Sequence, residues 1–413
     1  MQVHYIHGMR KMSGVEEKER LYYFDWLRVI AFSIILFEHS AEIFVDWRYW
    51  IKNSETSSLL TQIIAFFLPW RMPLLFIISG TVVTLSFEKK SVSEYLKERV
   101  IRLFFPLAFA IFFVIPPQLY FIQRFRGSTI SLADFYQNII DLNWNISTKG
   151  NIHFMHLWYL AYLLIYSVIF LPVLKLARTP KGKSCLLRLS NVLTKPYPLI
   201  LLGLSTNLPH YFITSYRPLD FYKSMLVYYF PFFVWGVLLW SNRVFQEALR
   251  TYTYKALAGA MILTFVLYYF SVEKNDPQYY FLNLSKVEDL NIHLLKSLNQ
   301  WLWLVGIFGL ANRWLNFSSP LLSTTTKAVY PFYILHQTVI IVIGFFVIRM
   351  EGSIVYKLSL ITLLSFFVIY FFYTQFIDRT NWLKLLFGVK PQLTEKVQES
   401  LKPVNIKTAI RTR

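Results

Sequence analysis

Cysteine is all but missing. Cys185 stands alone in 413 residues, which excludes an intrachain disulfide and any cysteine-built zinc cluster. Charge is scarce as well: 16% of the residues are Asp, Glu, Lys or Arg, against about 25% in a soluble domain. The long apolar–polar alternation of lipid-facing strands is absent, which excludes a β-barrel. No repeat of fixed period is visible, which weakens an inverted-repeat transporter without ending it. The abundant residues are apolar and aromatic, 55% hydrophobic and 19% Phe, Tyr or Trp. That balance excludes a soluble globular enzyme, a disordered chain and a disulfide scaffold. A formal charge of +19 would point to nucleic acid in a soluble protein. Here no nucleic-acid partner is expected, and the basic residues are read against the apolar runs instead.

Those runs are near 20 residues long, enough to cross a hydrocarbon core of about 30 Å as a helix. They lie at about 23–45, 60–87, 103–120, 157–174, 196–212, 224–240, 255–272, 294–312, 328–348 and 353–378. They predict an all-α polytopic membrane protein with about ten transmembrane helices. The fifth run, broken by Pro198, Asn207, Pro209 and His210, is expected to be short, tilted or partly re-entrant. Residues 1–22 are polar, and the following run is too long for a signal-peptide core, so no cleavage is expected. With the N-terminus in the cytosol, Lys and Arg outside the runs divide 28 to 10 in favour of that side. Both termini are therefore expected inside. The plan is a cytosolic segment over 1–22, a transmembrane unit over 23–378 and a basic cytosolic tail over 379–413 near anionic lipid. The expected location is a cell membrane.

Ionisable residues inside such runs are costly and usually mark a site or a path. The first run holds Asp25, Arg28, Glu38 and His39. Arg28 and His39 are eleven residues apart, roughly three turns plus 20°, so they share a helix face about 16 Å apart. Asp25 sits one turn before Arg28 and can pair with it. A cation at the inner end and an imidazole further out suit a ligand that is anionic at one end and reactive at the other. A snorkelling arginine with an interfacial histidine, or a charge-lined transport path, fits the same residues. Arg71 lies mid-run between Pro69 and Pro73, where prolines free backbone carbonyls. Arg99 and Arg102 share a face at the inner mouth of the third run; paired guanidinium groups suit phosphate, and simple interface anchoring suits each one alone. His153 and His156 open the fourth run near Trp144, Trp158 and Tyr159, and two histidines without a third ligand fall short of a metal site. His336 sits inside the ninth run.

Taken in order, DWLRVIAFSIILFEHS, PWRMPLLFIISG, ERVIRLFFPL, VIPPQ, HLWYLAYLLIYS and YPFYILHQ resemble the acyltransferase 3 family of integral membrane acyl-transfer proteins. The resemblance reaches from about residue 22 to 375. Within the family the chain is most similar to the branch that contains the succinyltransferase of osmoregulated periplasmic glucans. The resemblance implies transfer of an acyl group from cytosolic acyl-CoA to an extracytosolic acceptor, a carbohydrate hydroxyl or a lipid-linked sugar. It implies His39 as the catalytic base and Arg28 as a donor-binding residue, with Arg99 and Arg102 at the family's basic motif. Asp25, Arg71, His156, Trp158 and His336 are then supporting or acceptor-side residues. Acyl-CoA enters as substrate, with no bound cofactor and no metal. Glu38 precedes His39 but points about 100° away around the helix. The competing reading is a transporter or flippase that uses the same charges as a path.

The charge count makes a prediction about sidedness. With Cys185 removed, a cysteine at position 128 (Ser128→Cys) should react with an impermeant thiol reagent in intact cells. A cysteine at 184 (Ser184→Cys) should react only after lysis. The reverse pattern would invert the topology and place His39 at the cytosolic end.

Overall fold

The computed structural model describes residues 21–140, 154–216, 219–240, 242–273 and 290–389. The N-terminal segment, His153, Trp144 and most of the basic tail lie outside them. Among the described residues there are helices and no strands. In chain order they are α1 (Tyr22–Ala41), α2 (Ser58–Phe87), α3 (Val92–Phe125), α4 (Leu132–Ile140), α5 (Met155–Ile169), α6 (Leu171–Arg178) and α7 (Pro180–Leu193). Then come α8 (Pro196–Ser205), α9 (Leu208–Tyr216), α10 (Phe221–Leu238), α11 (Arg243–Glu273), α12 (Leu290–Trp314), α13 (Pro320–Val347), α14 (Ile354–Ile377) and α15 (Asn381–Leu386).

Six of these helices are long and apolar enough to cross a membrane: α2, α3, α10, α12, α13 and α14. A seventh results if α5 and α6, bent by 52°, form one span. The bend falls at Pro172, whose missing N–H cannot bond the carbonyl one turn earlier. The remaining three predicted runs take other forms. The first becomes α1, about 30 Å long but carrying the ionisable Asp25, Arg28, Glu38 and His39. The fifth divides into the short helices α8 and α9 around Asn207, and the seventh is part of the 31-residue α11.

Along one face, α1 is covered by protein, while its Ile30 is 41% exposed. It packs against α2, α12, α13 and α14, burying Tyr23, Leu27, Ala31 and Ile35 along a stripe of four-residue steps. Opposite it, α2 carries two prolines in mid-helix. Pro73 has no N–H to offer the Pro69 carbonyl, and Gln300 Nε2 of α12 donates to that carbonyl instead. Gln300 also donates to Tyr228 Oη at 2.9 Å and accepts from Asn207 at 2.9 Å. Further along α2, the backbone meets that of α10 directly. A Cβ on Gly80 would strike the Phe233 carbonyl, and one on Gly236 would strike the Ile77 carbonyl. Thr81 and Thr84 fasten the same seam by donating to Gly236 O and Val237 O, each at 3.1 Å. Such close approach of small residues is how helices associate where the surroundings are as apolar as they are.

Gly80→Val should therefore force α2 and α10 apart, at about 1–3 kcal/mol or more. The expected result is a lower melting temperature and less monodisperse protein in detergent. Gly259→Ala, whose Cβ meets only a Leu302 methyl at 3.1 Å, should change either little.

Candidate active site

At the end of α1, His39 Nδ1 lies 2.6 Å from Glu42 Oε2, three residues on. A carboxylate accepts only, so Nδ1 donates to it, and in the neutral ring Nε2 then holds the lone pair. This is the arrangement in which an acid holds a histidine in its basic tautomer. The loop after α1 supports it. Asn53 N donates to Ile43 O at 3.0 Å and Ser57 N to Phe44 O at 2.8 Å, folding residues 42–57 back over the helix end. That brings Tyr49 face to face with His39, ring centres 6.4 Å apart, and Gln337 Nε2 donates to Tyr49 Oη at 3.2 Å. Burial, and then the charge and hydrogen bond of Glu42, push the Tyr49 phenol well above its usual range. Tyr49 therefore stays a proton donor.

Two more histidines close on His39. The His336 ring of α13 stacks against it at 5.2 Å and 16°, and His156 meets His336 edge-on at 4.9 Å and 82°. His336 Nδ1 is 2.6 Å from the Tyr333 carbonyl. His156, in the single turn that opens α5, places Nε2 3.0 Å from the Ile334 carbonyl. Among the described residues no group of three His, Cys, Asp or Glu is arranged to hold a metal ion.

Glu38, the other acid beside His39, faces α2. It is fully buried and paired with Arg71. Arg71 is thus a compensated charge, within electrostatic range of Tyr229, Tyr333 and His336. Trp158 stacks on Tyr229 at 5.2 Å in an aromatic layer with Phe76 and Tyr162.

At the other end of α1 the basic residues converge. Arg28 and Arg99 both lie within electrostatic range of Arg102. Glu98 pairs with two of them: Arg99 is 3.2 Å and Arg102 3.5 Å from its carboxylate, with Lys90 at 2.5 Å. Arg99 also lies over the Tyr95 ring at 5.1 Å. Asp25 is half-buried one turn before Arg28.

One face of α13 joins the two ends. Tyr330 donates to the Arg102 carbonyl and Tyr333 to the His156 carbonyl, each at 2.7 Å. Beside them Tyr159 Oη meets Ser79 Oγ at 2.5 Å. Tyr330, Tyr333 and His336 succeed one another every three residues, and the rise from first to last is about 9 Å.

The structure thus brings Arg28, Arg99 and Arg102 together, and His39, His156 and His336 together. Arg71 sits beside the second group, and Trp158 lies in the neighbouring aromatic layer. Sequence reasoning missed Glu42, Glu98, Tyr330 and Tyr333. The three-residue helical spacing of Glu42 from His39, and of Tyr330, Tyr333 and His336, was the available signal.

The sequence pattern of the acyltransferase 3 family, described as an acyltransferase domain, matches residues 21–377. Glucans biosynthesis protein C of Shigella dysenteriae serotype 1 (strain Sd197) is 24% identical over 347 residues, 80% of this chain and 84% of that protein. Glucans biosynthesis protein C of Escherichia coli (strain K12) is 23% identical over the same shares. No solved structure matches. The chain belongs to the acyltransferase 3 family, and it is a multi-pass membrane acyltransferase.

Proposed function

We propose that the chain moves an acyl group from cytosolic acyl-CoA to a hydroxyl of an extracytosolic glycan. The observation that carries this reading is the His39–Glu42 pair, a base held with its lone pair free at one end of a polar column whose other end is basic. Coenzyme A has the matching asymmetry, with phosphates at one end and a thioester at the end of a long arm. Arg28, Arg99 and Arg102 would take the phosphates, with Glu98 holding Arg99 and Arg102 in place. The arm would run along the Tyr330–Tyr333 face of α13. The glycan acceptor is supported by the names of the two relatives, and the two-sided arrangement by the distribution of Lys and Arg.

In the transfer itself, His39 Nε2 takes the acceptor's O–H proton as its oxygen bonds the thioester carbonyl carbon. Glu42 stabilises the imidazolium through Nδ1–H. The tetrahedral intermediate then collapses, the C–S bond breaks, and the coenzyme A thiolate leaves with the proton from His39. The products are an ester and free thiol.

His39→Ala should lower transfer by about 10²–10⁴-fold in protein that still inserts, measured with labelled acyl-CoA in reconstituted vesicles. Glu42→Gln, which keeps the shape and removes the charge, should lower kcat by at least about 10-fold. Near-normal transfer in either well-expressed variant would sink the assignment of base and partner.

Arg102→Ala should raise the KM for acyl-CoA more than the KM for acceptor, because its guanidinium would meet donor phosphates. Arg99→Ala should do the same and also lower yield, since it is buried against Glu98 and Tyr95. Equal effects on both constants would reduce the pair to interface anchors.

A further inference from the structure

The three clustered histidines have an excess of one kind of hydrogen-bonding atom. Each has one ring nitrogen on a group that can only accept: Glu42 for His39, the Tyr333 carbonyl for His336, the Ile334 carbonyl for His156. Each must donate there, so each neutral ring turns a lone pair to the other side. His336 Nε2 and His156 Nδ1 are buried and have no partner within the protein, in residues only 2% and 6% exposed. They cannot satisfy each other, because both are acceptors. The parallel stacking of His39 on His336 keeps their in-plane lone pairs from meeting as well. A proton held there would create a buried cation within range of Arg71. The cluster therefore calls for a ligand that brings several donors at once and no charge.

We infer that His336 Nε2 and His156 Nδ1 form an acceptor subsite that takes further hydroxyls of a polyhydroxylated acceptor, one O–H to each nitrogen, beside the hydroxyl deprotonated at His39. The inference rests on the acyl-transfer reading above and names the two residues that select a polyhydroxylated acceptor over a monohydroxy alcohol. A buried acceptor left unmatched by a monohydroxy alcohol is what gives such a site its discrimination. His39, whose side chain is 19% exposed, provides the outward opening.

The test uses the full chain in detergent with acetyl-CoA and succinyl-CoA, and three acceptors: cyclohexanol, trans-cyclohexane-1,2-diol and glucose. The diol and glucose should exceed cyclohexanol in kcat/KM by about 10-fold or more, beyond the statistical gain of extra hydroxyls. In His336→Phe that ratio should fall toward one. Equal use of cyclohexanol and the diol by the unaltered chain overturns the inference, and so does an undiminished ratio in a folded His336→Phe. Titration calorimetry with glucose and with cyclohexanol separates this from the transfer reading. If no acceptor is acylated yet glucose binds and cyclohexanol does not, the subsite stands and acyl transfer falls. If neither binds, or both bind alike, the subsite is overturned.

Discussion

Glu38 on α1 and Arg71 on α2 are buried together within a bundle of apolar helices. Neither charge is tolerable there alone: removing one partner of such a pair costs about 3–5 kcal/mol, because the other is left desolvated. The pair therefore fixes the rotation of α1. Neighbouring residues on a helix point about 100° apart. With Glu38 turned to α2, His39 is turned toward α13 and meets His336 there. The prolines around Arg71 serve the same end, since Gln300 ties the Pro69 carbonyl and holds α2 against α12. The placement of His39 is thus decided by the residue beside it.

Much of the fold was legible because apolar run length is a direct consequence of bilayer thickness. Six of the ten runs became helices of spanning length and apolarity. A seventh is bent between α5 and α6, and the other three were obscured by features that run length does not measure. In α1 four ionisable residues interrupt the run, one of them, Glu38, fully buried in protein. The break at Asn207 leaves α8 and α9 too short to cross singly, and α11 is apolar over only part of its length. Two arms of the candidate site, Arg28 to His39 and Arg99 to Arg102, followed from helical spacing within single elements. Glu42 escaped because it lies just past the helix end, although its backbone still continues the helical turn. Tyr330 and Tyr333 escaped because an aromatic stripe normally signals packing, and only the contacts across to Arg102 and His156 show their polar ends at work.

The same contrast separates the roles of the charged residues. Arg71 stood out in the sequence as a charge in mid-run, whereas Glu98 lay unremarked among Lys97, Arg99 and Arg102. One is silenced inside a pair, and the other gathers three cations around a single carboxylate. Formal charge at a position says little until its partner is known.

The polar column along α13 has a consequence for the cell that houses it. A row of hydroxyl and imidazole groups between the two ends of a bundle is a potential wire for hydrogen ions, and a leak would dissipate the membrane's electrochemical gradient. Tyr330 and Tyr333 do not hand their hydroxyl hydrogens to one another. Each is committed to a main-chain carbonyl, of Arg102 and of His156, and a carbonyl has none to pass on. The row is polar along its length and is interrupted at each rung as a conductor.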